Sequence, residues 1–181
     1  MKQDDYFNLF EELLQESSIE PYSKEDIRIT TQANHEIVNK ILQNEWSEEV
    51  KQMIPVHVHP QKWILIAEHW CADSANIVPY ISKLAKAIPT VDLSIELRDS
   101  EPFTINQFLT NGGKAIPKLI AKDEKGDVLF TWGPRPDKLT QLVRKWKEEK
   151  LENSIFKQNI QNWYDEDQGN ETIIELINLI K

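Results

Sequence analysis

The 181-residue chain has 40% hydrophobic and 28% charged residues, the balance of a globular protein with a sizeable core, and a formal net charge of −9. That acidity argues against a nucleic-acid partner, which needs a basic surface, and no run of about 18 apolar residues is present to span a membrane. A single cysteine rules out an internal disulfide, and the opening MKQDDYFNLF lacks the apolar segment and small-residue cleavage site of a secretory leader, so a cytoplasmic location is expected.

In chain order, Tyr6, Phe10, Leu13 and Leu14 recur at helical spacing over residues 4–15. Ser23 with Asp26 reads as a helix-capping pair, and Ile37, Ile41 and Leu42 continue a helical pattern. Ser47 before Glu48 and Glu49 reads as an N-cap with acids in the first turn. Residues 1–55 therefore form an expected helical extension. From Pro55 the pattern changes. Val56-His57-Val58-His59 alternates like a short strand, and 62–67 (KWILIA) is a continuous apolar run, as in a central strand covered on both faces. A helix is expected over 71–86, a strand over 91–97 and a helix over 103–109, stopped by Asn111-Gly112-Gly113. Strands at 117–121 and 128–132 flank a turn at 123–127, and an amphipathic helix follows from Asp137. The tail, 151–181, reads as two helices broken near Gly169. His57 and His59 would share a strand face, but no third ligand lies nearby, and the acidic run 165–169 has its glycine one place early for a calcium loop, with Leu176 at the final ligand position. No metal site is expected.

The segment Trp70-Cys71-Ala72-Asp73-Ser74 follows a buried strand and opens a helix, with Pro79 eight residues after the cysteine. Ile116-Pro117 and, sixteen residues after that proline, Trp132-Gly133 complete a set that resembles the thioredoxin superfamily over residues 60–148. With Arg98-Asp99 and Trp132-Gly133-Pro134-Arg135-Pro136, the chain is similar to an uncharacterised bacterial branch of that superfamily carrying a monothiol Cys-x-Asp-Ser motif. The resemblance implies an α/β fold, a central mixed sheet flanked by helices spanning 56–150, with helical extensions at both ends. It implies a cis bond before Pro117, leaving the Ile116 backbone free to pair with an extended substrate. Two departures stand out. Ser74 replaces the second cysteine, and Leu65 occupies the place of a buried aspartate that helps release the mixed disulfide.

The expected function is thus a monothiol thiol–disulfide oxidoreductase acting through mixed disulfides at Cys71, with Ser74 beside the sulfur. The alternative is a non-catalytic thioredoxin-fold module that binds a protein or peptide. Trp70, Ile116, Pro117, Trp132, Gly133 and Arg135 form the expected substrate-binding groove, with Arg135 placed for an anionic thiol or carboxylate. Partners are protein or small-molecule thiols and disulfides. No bound cofactor is expected, only a low-molecular-weight thiol as co-substrate; Ala72 and Asp73 depart from the Gly-Phe of cluster-binding monothiol glutaredoxins. A helix N-terminus favours the thiolate, which predicts a Cys71 pKa of roughly 6 to 7.5, with Asp73 working against it.

Overall fold

The computed structural model describes residues 1–16 and 18–180. Three helices, α1 (Gln3–Gln15), α2 (Glu25–Gln43) and α3 (Glu48–Met53), precede β1 (Gln61–Ala67), α4 (Ala72–Ala87) and β2 (Val91–Leu97). A 3₁₀ turn (Thr104–Gln107), the hairpin strands β3 (Lys118–Lys122) and β4 (Val128–Trp132), and α5 (Asp137–Glu148), α6 (Asn153–Asp167) and α7 (Asn170–Ile180) complete the chain. The sheet order is β2-β1-β3-β4. β1 runs parallel to β2 and antiparallel to β3, and β3 is antiparallel to β4. This is the mixed sheet expected of the thioredoxin-like fold.

The continuous apolar run of β1 has partners on both sides and cover on both faces. Trp63, Leu65 and Ala67 join α4 and the flanking helices in the main core, while Ile66 joins Ile105, Ile116 and Ile120 in a smaller cluster on the other face. Leu65 is fully buried. Tyr6 and Phe10 of α1 and Leu176 and Ile177 of α7 belong to the same main core, so both helical extensions share the apolar interior of the sheet domain. Along the outer edge of β2, Met1 and Ile95 exchange backbone hydrogen bonds of 2.8 and 2.9 Å.

The structure corrects three local expectations. Residues 56–59 form no strand: Pro55 and Pro60 bracket them, β1 begins only at Gln61, and Val56 is 87% exposed. The helix expected over 103–109 shortens to the single 3₁₀ turn, because Phe103 has a left-handed backbone and Phe108 leaves the helical region. Ser23 does not cap α2, which starts after Lys24; the Ser23 hydroxyl donates to Glu20 instead. Ser47 does cap α3, accepting from the Val50 amide at 3.3 Å. Gly169 turns α6 into α7 with φ +78°, and a Cβ there would strike the Tyr80 ring of α4.

Candidate functional site

Cys71 is the N-cap of α4, at the point where β1 hands the chain over to the helix. Its side chain is half-buried against the smaller apolar cluster, and Sγ donates to the Ile116 carbonyl at 3.6 Å. The Ile116–Pro117 peptide is cis, as are those before Pro21, Pro102 and Pro134. Gly133 lies directly over Pro117 with φ +106°, and any Cβ there would collide with the Pro117 carbonyl oxygen. This brings Cys71, Ile116, Pro117 and Gly133 together, and only glycine allows the approach.

The thiol is not activated in the way the helix start implied. Burial pushes the Cys71 pKa above its ordinary value, and the neighbouring Asp73 carboxylate pushes it the same way. The contact to the Ile116 carbonyl also requires the proton, and so favours the neutral thiol. Ser74 only partly offsets this: its hydroxyl pulls the thiol pKa down, but Ser74 Oγ is enclosed without a full hydrogen bond among the described residues. Enclosure of the sulfur outweighs the open amides of the helix start.

Arg135 is already engaged. Its Nε donates to Asp73 Oδ1 at 2.9 Å and its Nη2 meets Oδ2 at 2.5 Å, while the Tyr164 hydroxyl of α6 donates to Oδ1 at 2.8 Å. Trp132 is buried, not at an open rim, with Nε1 donating to Glu175 of α7 at 2.7 Å; the other Glu175 oxygen accepts the Asp137 amide at the start of α5, also at 2.7 Å. Trp70 is the more open indole, and the Arg98 guanidinium stacks on it 4.7 Å from the ring centre while pairing with Asp99.

On the other side of the cysteine, His69 is fully buried. Its ring stacks on Tyr6 at 4.2 Å, Nε2 pairs with the Tyr6 carbonyl at 2.9 Å, and its own carbonyl accepts from Asn34 of α2 at 2.8 Å. Burial drives its pKa down to about 4, so the imidazole is neutral and adds no positive charge near the sulfur. Sequence reasoning missed Tyr164, Glu175, Tyr6 and Asn34 as parts of the site's frame. Tyr164 meets Asp73 across 91 residues of chain, and no local motif signals such a pairing.

A helix that starts at a cysteine after a central strand, facing a proline at the head of an antiparallel strand, defines a thioredoxin-type site. A family model described as thioredoxin matches residues 21–150, and the chain belongs to that family. The match begins well ahead of the 60–148 stretch that carried the motif resemblance, and takes in α2 and α3. Two solved structures are similar in fold. A protein of unknown function from Pseudomonas aeruginosa aligns with 84% of this chain and 84% of its own at 14% identity, with a TM-score of 0.61. An HIV epitope scaffold covers 99% and 98% of the two chains at 14% identity, with a TM-score of 0.57. No curated protein matches the sequence. Among the described residues no helix is long and apolar enough to cross a membrane.

Proposed function

We propose that the chain is a monothiol thiol–disulfide oxidoreductase working through mixed disulfides at Cys71 in the cytoplasm. One observation carries the reading: the sole cysteine, a half-buried residue, starts α4 with its sulfur against the Ile116 carbonyl, next to Pro117. The Cys71 thiol first gives up its proton. The thiolate attacks one sulfur of a substrate disulfide, a Cys71–substrate S–S bond forms as the substrate's own S–S bond breaks, and the second substrate sulfur leaves as a thiolate. Ser74 offers no thiol to resolve the intermediate, and Leu65, where the resemblance expects a buried acid, is a fully buried apolar side chain that can accept no proton. An external low-molecular-weight thiol therefore attacks the mixed disulfide and frees Cys71. Trp70, Ile116, Pro117 and Gly133 border the reacting sulfur. Because the thiol pKa is raised, attack accelerates as pH climbs past the ordinary thiol range.

The test is intact-mass measurement after incubation with oxidised glutathione between pH 7 and 9. The expected adduct maps to Cys71, grows with pH, is removed by excess thiol and is absent from Cys71→Ser. In Ser74→Cys an internal disulfide should form, and insulin reduction should appear. A second reading, a peptide- or protein-binding module without turnover, draws support from the protonated thiol and from Arg135 and Trp132 being tied up within the chain. Absence of any adduct across that pH range would decide for it.

A further inference from the structure

A cleft of about 680 Å³ opens between α2 and α6, beside the first turn of α4. Ile29, Ala33 and Ile37 of α2 line it together with Phe156 and Ile160 of α6, and Ile29 is 63% exposed, an apolar side chain turned towards solvent at its edge. The amides around it are spent on the fold: Asn34 donates to the His69 carbonyl at 2.8 Å, and Asn76 and Gln161 donate to each other at 3.1 and 3.2 Å. What remains for a ligand is apolar surface and positive charge. Arg135 and Lys157 both line the cleft, against Asp73 as the sole lining carboxylate among the described residues. Arg135 commits Nε and Nη2 to Asp73, and Lys157 has no carboxylate within ion-pair distance among the described residues. With Arg135 neutralised by Asp73, the recess is apolar with one uncompensated positive charge, Lys157, in a chain of net charge −9.

We propose that this cleft binds an amphipathic carboxylate, with a medium-length alkyl chain lying between the α2 and α6 walls. Its carboxylate is held at the rim by Lys157, the cleft's one uncompensated cation among the described residues. The volume falls in the range of small-molecule sites, whereas a protein partner would need a broader face, about 800 Å² on each side. The apolar walls contribute most of the affinity and the cation selects the acid over an uncharged analogue.

Isothermal titration of the full chain with decanoate tests this. One-to-one saturable binding is expected, at least about fivefold tighter than for decanol and weakened at least about fivefold in Lys157→Glu. Ala33→Trp, at an exposed position of the α2 wall, should fill the cleft and abolish binding. If that variant fails to fold by circular dichroism, Ile29→Glu probes the same wall. Cys71→Ser should bind decanoate as the wild type does, which separates this site from the chemistry at the thiol. The proposal is overturned by no saturable binding, by undiminished binding in the wall variant, or by equal affinity for decanol. Concentration-dependent self-association through this face, without decanoate binding, would also overturn it.

Discussion

The residues on either side of Cys71 are held by different helices and by different chemistry. Ahead of it, α1 grips the His69 ring mainly through apolar packing, stacking Tyr6 on it, setting Phe10 edge-on at 4.5 Å and accepting one hydrogen bond at a backbone carbonyl, while α2 holds only the His69 carbonyl, through Asn34. Behind it, α6 and α7 grip Asp73, Asn76 and Trp132 through polar side chains, namely Tyr164, Gln161 and Glu175. The apolar grip orders the turn into the helix and is indifferent to the charge on the sulfur. The polar grip surrounds the carboxylate that sets the thiol's electrostatics. Disturbing the first should change stability, and disturbing the second should change reactivity as well.

The largest expected effect lies on the apolar side. Phe10→Ala deletes a ring that is 1% exposed, and should cost about 4 kcal/mol in urea unfolding. Next is acid. Folded His69 protonates near pH 4, below its ordinary 6.5, so the unfolded chain binds more protons in between, and stability falls as pH drops through that window. The loss should approach about 3 kcal/mol by pH 4. Asp167, whose pKa is raised to about 6, and Glu68, also raised, act in the opposite direction. The His69 share is therefore read as the wild-type pH dependence minus that of His69→Phe, and no difference between the two would remove the imidazole from the account.

On the polar side, Tyr164→Phe should cost about 2 kcal/mol, the worth of a buried hydrogen bond to a charged group, with the apolar packing intact. The smallest effects in free energy are the most diagnostic. Asp73→Asn removes a charge that raises the Cys71 pKa and should speed iodoacetamide alkylation at pH 8 about threefold. Arg135→Gln leaves that carboxylate unneutralised and should slow alkylation by a similar factor. Shifts in the same direction for both variants would mean that the polar grip does not act through the charge of Asp73.

Much of the fold was legible because it rests on local patterns. The apolar run at 62–67, the alternation at 91–97 and Gly169 as a helix breaker each carry their meaning within a few residues. Ser47 before two acids does the same, and the cap is there. The strand expected at 56–59 failed because a strand also needs a partner to pair with, which alternation alone does not supply.

Local sequence carried the order of strands and helices from β1 onward except at 103–109, the place of Cys71 at a helix start, and the absence of a second thiol. Those follow from periodicity, spacing and composition. Tertiary structure alone decided the protonation of the thiol, because desolvation depends on what encloses the sulfur, and Ile116 comes to it from 45 residues away. It also decided that Arg135 spends itself on Asp73, and that Tyr164 and Glu175 of the tail frame the site. Such pairings join segments that share no local pattern; packing both extensions against the same core brings them within hydrogen-bonding distance.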